Sequence, residues 1–207
     1  MFSYIQPIIA WYQSNTNYFT ITLLMVVESS FIPFPSEIVV PPAAWKAANN
    51  ELNIYLVVFF STLGALIGAL INYYLAKYLG RSLIYKFADT RFARICLIDR
   101  KKVEKAEAYF VKNGNVSTLI GRLIPGIRQL ISVPAGLANM KMTSFILYTT
   151  LGAGMWNIIL AALGYLLQGQ ENKLKHYYNE LSIALLIVGG LFIIYLIYKG
   201  FSKKSNA

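Results

Sequence analysis

Glu28-Ser-Ser-Phe-Ile-Pro-Phe-Pro-Ser-Glu37 and Gly121-Arg-Leu-Ile-Pro-Gly-Ile-Arg128 decide how this chain folds. Each sets two charged side chains on either side of a proline break in an otherwise apolar stretch. Each is followed by further breakers, Pro41-Pro42 after the first and Pro134-Ala-Gly136 after the second. Proline lacks the backbone donor that a helix interior needs, and its ring clashes with the preceding turn, so a straight helix through either stretch is costly. In hydrocarbon, broken backbone survives only where protein or a wet cavity satisfies it. Both stretches therefore predict re-entrant hairpins, with breaks at Pro33, Pro35, Pro125, Gly126, Pro134 and Gly136.

The rest of the chain supplies the membrane that such hairpins require. Of 207 residues, 57% are hydrophobic and only 14% charged, a balance far from that of a soluble domain. Leu52 to Ala76, Met142 to Gln170 and Leu181 to Tyr198 contain no Asp, Glu, Lys or Arg. Each is near or above the roughly 18 to 25 apolar residues that cross a hydrocarbon core as a helix. Residues 1 to 27 are also uncharged, but Gln13 to Asn17 interrupt them, so they are not one clean span. With no basic n-region and no compact apolar run before a small-residue cleavage site, the N-terminus is expected to stay on the mature protein.

The formal charge of +10 lies beside the spans. Between Arg81 and Lys112 there are nine basic residues against four acidic ones, and the tail adds Lys199, Lys203 and Lys204. The connection with Glu171, Lys173, Lys175 and Glu180 is balanced. The positive-inside bias places 81–112 and the C-terminus in the cytoplasm and 171–180 outside, in the inner or plasma membrane. Anionic lipid headgroups account for the basic excess, and no nucleic-acid partner is implied. Cys96 excludes an internal disulfide framework.

That orientation runs 52–79 inward, 143–167 outward and 181–198 inward again. The expected fold is an all-α integral membrane protein, one domain over 1–207. It comprises a first hairpin-plus-span half (20–80), a basic cytoplasmic connection (81–112), a second hairpin-plus-span half (113–167) and a C-terminal transmembrane helix (181–200). The first hairpin enters from outside and the second from inside, giving two oppositely oriented re-entrant hairpins in an inverted-repeat plan of the kind transporters use. In the connection, Asp99 is expected to cap a helix that ends at Gly114. Leu83, Ile84, Phe87, Ile95 and Leu97 suit either an interfacial helix or a packed loop.

Four ionisable groups in membrane segments need partners, water or a function, because each costs at least about 2.5–3.5 kcal/mol to insert. Mutual neutralisation is one answer: Glu–Arg bridges that hold the hairpins together. The other divides the labour. Arginine stays charged and its planar fork matches phosphate oxygens, so Arg122 and Arg128 suit an anionic headgroup. Glutamate can gain and lose a proton in a poorly hydrated site, so Glu28 and Glu37 suit proton coupling. Backbone amides near Gly126 and Gly136 would add phosphate donors. Gly64 and Gly68, and Gly152 and Gly154, form small-residue faces for close helix packing. Trp156 suits core packing, Asn157 a hydrogen bond to a hairpin, and Tyr73, Tyr74 and Tyr78 the cytoplasmic interface. His176 falls in the external connection.

These motifs resemble the DedA family of membrane proteins, also described by its VTT or SNARE-associated domain. Glu28 to Glu37 is similar to its acidic, proline-containing first motif. Phe110-Val-Lys-Asn-Gly114, then Gly121 to Arg128 and Pro134-Ala-Gly136, are similar to its second. The resemblance implies re-entrant hairpins in an inverted repeat and lipid translocation. Bacterial members move undecaprenyl phosphate back across the membrane, while others act as scramblases or affect ion homeostasis. It also puts the functional acids on Glu28 and Glu37 and the arginines on Arg122 and Arg128. Where the family often has Gly-Asp and later Gly-Arg, this chain has Gly68-Ala69 and Ala76-Lys77.

The expected function is a flippase or transporter of undecaprenyl phosphate in a bacterial membrane, linked to protons. Its partners are a polyprenyl phosphate or phospholipid and the surrounding membrane lipids. A proton-coupled carrier of a small ion or drug, and a non-transporting membrane scaffold, are the alternatives. A membrane enzyme such as a lipid phosphatase is not expected: the sequence offers one external histidine, no metal-ligand cluster and no nucleophile beside an evident base. No cofactor or metal is implied.

Overall fold

The computed structural model describes residues 11–30, 36–80, 100–124 and 127–167. Pro33, Pro35, Pro125, Gly126, Cys96, His176, the interfacial segment before Arg100 and the expected C-terminal helix lie outside them. The described residues form helices α1 (Tyr18–Ser29), α2 (Val40–Ala48), α3 (Ile54–Leu75), α4 (Arg100–Leu123), α5 (Ile127–Leu130), α6 (Ser132–Leu137) and α7 (Met142–Leu166). A 3₁₀ turn, Ser36–Ile38, precedes α2, and a π-helical turn, Ala76–Gly80, extends α3.

Local chemistry sets the helix starts. Asn17 Oδ1 accepts from Thr20 N at 3.0 Å while Asn17 N donates to Thr20 Oγ1 at 3.0 Å, a reciprocal capping box that opens α1. Asn53 Oδ1 caps Tyr55 N at 2.9 Å and so starts α3. Asn53 N donates to Tyr18 OH at 2.9 Å, pinning the two starts together. Pro41 and Pro42 open α2 rather than break it: in the first turn the missing donor has no intrahelical partner to lose. Pro134 likewise sits in the first turn of α6, and Gly136 lies within that helix, so neither stands at a break. The chain turns after α6, where Asn139 takes a positive φ of 51°.

Gly114 does not end its helix. α4 continues through it to Leu123, so the described end of the basic connection, from Arg100, and the start of the second charged motif share one helix. A Cβ at Gly114 would touch the Phe110 ring at 3.0 Å and Met140 Sδ at 3.4 Å. The glycine is there for packing, and the helix absorbs its modest propensity cost.

Ile54–Gly80 and Met142–Leu166, of 27 and 25 residues, are long and apolar enough to cross a membrane. At about 1.5 Å per residue, each outreaches a hydrocarbon core of about 30 Å. Their outer faces are exposed and apolar, with Phe59, Ile67 and Ile71 on α3 and Leu151, Met155 and Ile158 on α7. Their inner faces bury Ser61, Asn72, Thr149 and Asn157. Apolar outside with polar groups inside suits lipid as solvent.

The long helices pack on one another and on the short ones. α3 lies along α1 as α7 lies along α4, α2 packs on α7 as α6 packs on α3, and α3 and α7 pack on each other. Glycine sets the approach at these contacts. A Cβ on Gly68 of α3 would meet Val26 O of α1 at 2.5 Å, and one on Gly152 of α7 would meet Arg122 Cβ of α4 at 2.6 Å. A Cβ on Gly164 would meet Pro41 O at 2.5 Å, and one on Gly136 would collide with the Tyr73 carbonyl. Two apolar clusters result: Tyr12, Ile21, Met25, Val57, Trp156 and Leu160 in one, and Tyr73, Phe110, Ala135, Met140 and Phe145 in the other.

Candidate functional site

Glu28 lies in the last turn of α1 and Arg122 in the last turn of α4, while Glu37 stands in the 3₁₀ turn and Arg128 in α5. Three of the four charges are almost fully removed from solvent: Glu28 is 2%, Arg122 3% and Arg128 7% exposed. The Glu37 side chain is 12% exposed.

The acids and the arginines do not pair within their own motifs. Arg128 Nη2 lies 3.1 Å from Glu28 Oε1 and 2.9 Å from Glu37 Oε1, so one nitrogen joins both acids of the first half to the second half. Ser29 Oγ donates to Glu28 Oε2 at 2.8 Å. Glu28 needs this support, since a carboxylate in the last turn of a helix faces the negative end of its dipole. Arg122 takes another course and donates through Nη2 to Ser132 Oγ at 2.6 Å.

Trp156 braces this arrangement from α7. Arg128 Cζ lies 5.1 Å from the centroid of its ring, within cation–π range, and Nε1 donates to Ser36 Oγ at 3.3 Å. One indole thus holds the arginine on its face and the residue next to Glu37 at its edge. Asn72 Nδ2 donates to Ser29 O at 3.0 Å and Gln129 O at 3.3 Å, tying the end of α1 to α5. Asn157 reaches Thr62 Oγ1 on α3 at 3.2 Å instead of a hairpin. Ser29, Ser36, Asn72 and Ser132 were not singled out in the sequence. Asn72, in the middle of an uncharged span, carried a signal, whereas the serines acquire meaning only through contact.

The site has more hydrogen-bonding capacity than its own residues use. Among the described residues, Arg122 Nε, Arg128 Nε and Arg128 Nη1 are buried without a hydrogen-bond partner, as is Glu37 Oε2, and Glu28 Oε1 has only the ionic contact with Arg128. The space among Glu28, Ser29, Arg122, Arg128, Trp156 and Asn157 is about 10 Å³, room for about one water. Buried guanidiniums with unused donors beside this space are suited to an anion with several oxygens. Among the described residues, no group of three or more His, Cys, Asp or Glu side chains could hold a metal ion.

Comparison with known proteins agrees with the motifs. The VTT domain matches residues 32–166. An "Alkaline phosphatase-like protein" of Lactococcus lactis subsp. lactis is 33% identical over 96% of this chain and 92% of its own. "Undecaprenyl phosphate transporter A" of Staphylococcus aureus is 28% identical over 97% of this chain and 98% of its own. "Protein DedA" of Escherichia coli is 24% identical over 68% of this chain and 61% of its own. No solved structure gives a significant match. With a VTT domain over most of its length, buried charges at both motifs and helices faced for lipid, this chain belongs to the DedA family of membrane proteins.

Proposed function

We propose that the protein carries undecaprenyl phosphate, or a closely similar polyprenyl phosphate, across a bacterial membrane, with headgroup transit linked to protons. The observation that carries this reading is the set of guanidinium donors on Arg122 and Arg128 that have no partner among the described residues, beside a buried glutamate, Glu28, and a half-buried one, Glu37. A phosphate monoester offers three terminal oxygens to such donors, and its isoprenoid chain can stay in the bilayer while the headgroup passes through the protein. The pairing of α3 with α1 and α6, and of α7 with α4 and α2, supports an inverted repeat with hairpins entering from opposite sides, and the basic excess of 81–112 supports its place in the cytoplasm. The name of the S. aureus relative supports the choice of lipid.

The test follows headgroup accessibility across reconstituted bilayers for undecaprenyl phosphate and for a neutral polyprenol. Arg→Lys at 122 or 128 keeps the charge but loses the planar fork, and Arg→Ala loses both. The expected order of rates is wild type, then Lys, then Ala, with preference for the phosphorylated lipid. Folded Ala variants that move the lipid at the wild-type rate would make the arginines structural counterions only.

A second reading has one observation behind it. The Ser29 hydroxyl donates to Glu28 beside Arg128, which sets a nucleophile next to a base, and the L. lactis relative's name includes a phosphatase. Release of inorganic phosphate from the lipid in the same assay, lost on Ser29→Ala, would replace transport with hydrolysis.

A further inference from the structure

We infer that the substrate phosphate and the two glutamates compete for Arg128, so that each phosphate dianion crosses with two protons and no net charge. The inference rests on the transport reading above and specifies its coupling.

Charge balance comes first. Among the described residues, the ionisable groups facing Arg128 are Glu28 from α1, Glu37 from the 3₁₀ turn and Arg122 from α4. Ser132 of α6, Asn72 of α3, and Trp156 and Asn157 of α7 complete the surroundings, and none of them is ionised. With both acids ionised, two negative charges face two positive ones. A dianion added to that set would leave two uncompensated charges in a dry site, a state that buried electrostatics strongly disfavours.

Space gives the same answer. Room for about one water does not admit a phosphate while Arg128 Nη2 remains bridged to both carboxylates. Glu28 Oε1 and Glu37 Oε2, which hydrogen-bond to nothing among the described residues, are acceptors only when ionised and would repel phosphate oxygens. Protonation reverses each obstacle. It releases Arg128 Nη2 to join the unpartnered Arg128 Nε, Arg128 Nη1 and Arg122 Nε, it removes two negative charges, and it turns two acceptors into donors. The loaded site then holds two guanidiniums, two protons and one dianion, neutral as before. The sum is unchanged if one of the protons moves to the phosphate. On release the protons leave with the headgroup, and Glu28 and Glu37 take Arg128 back.

The experiment uses the full chain in proteoliposomes containing undecaprenyl phosphate, with headgroup accessibility as readout. A valinomycin-set potassium potential and a pH gradient are applied separately. Two-proton symport gives a headgroup asymmetry of about a hundredfold per pH unit at equilibrium, against about tenfold for one proton, and no response to potential. Glu28→Gln or Glu37→Gln should cut the pH response towards tenfold and introduce a response to potential, since one charge then moves uncompensated. A parallel arm with labelled inorganic phosphate, in vesicles lacking the lipid, separates recognition of a lipid headgroup from recognition of free phosphate. Wild-type translocation that follows the potential and ignores the pH gradient overturns the competition while leaving the transport reading intact. That outcome needs no variant to fold. Headgroup movement no faster than in protein-free vesicles overturns both.

Discussion

Replacing Gly68 with alanine should loosen the protein and its site together. An added Cβ would lie 2.5 Å from Val26 O and 2.8 Å from Ser29 Cβ, whereas ordinary contact begins near 3.4 Å. Neither obstacle is the end of a flexible side chain, so α1 must move away from α3 by about 0.9 Å. Overpacking of this kind costs about 1–3 kcal/mol, offset by about 0.5–1 kcal/mol from the better helix former. The net loss is about 0–2.5 kcal/mol. Against a Gly→Ala change at an open position, which shares the helix-former gain, the difference is the full cost of about 1–3 kcal/mol, or a Tm lower by about 2–12 °C for a chain of this size. α1 carries Glu28 in its last turn, so the same displacement stretches the 3.1 Å contact with Arg128 towards the limit of an ion pair and strains the 3.0 Å bond from Asn72 to Ser29 O. The assay is thermal unfolding of purified protein in one detergent, with Gly154→Ala as comparator. At Gly154 the nearest atoms to an added Cβ belong to Thr62, 3.8 Å away, so that variant should match or slightly exceed wild type. If Gly68→Ala melts with Gly154→Ala, the glycine-mediated contact between α1 and α3 is not as described here.

Trp156→Phe keeps an aromatic face for Arg128 and removes the donor to Ser36, so it should raise the half-saturating lipid concentration by about 2- to 10-fold, the value of one hydrogen bond of about 0.5–1.5 kcal/mol. Trp156→Ala also removes the ring and should lower stability by about 3–5 kcal/mol; equal transport and melting by the two variants would show that the cation–π face contributes nothing. Topology is open to chemical labelling: in sealed right-side-out vesicles an impermeant thiol reagent should reach His176→Cys, placed in a Cys96→Ser background, but not the native Cys96. Labelling of both positions from one side would refute the arrangement of charges across the bilayer.

Several features were legible because they depend on composition and order along the chain. Uncharged runs of transmembrane length have no cheaper place than lipid, so α3 and α7 were found within a few residues of their ends. The charged, proline-broken motifs identified the family and the four ionisable residues, three of them buried, since such groups are too costly in apolar segments to be incidental. Gly64 and Gly68 were rightly assigned to helix contact. Glycine and proline misled where their effect depends on position: Gly114 lies inside a helix because Phe110 and Met140 fill the space where its side chain would be, and Pro41, Pro42 and Pro134 begin helices instead of breaking them.

The sequence by itself determined that this is a helical membrane protein of the DedA family with two acids in one half and two arginines in the other. Periodicity, hydropathy and motif spacing are properties of a line, and a line is enough for that. Only the tertiary structure decided which charge meets which. Glu28 and Arg128 are a hundred positions apart, and Arg128 finds both acids because α1 and α5 are clasped by Asn72 and backed by Trp156. Arg122 turns instead to Ser132. Ion pairing acts over a few ångströms, and those distances are set by how helices pack rather than by how residues are spaced.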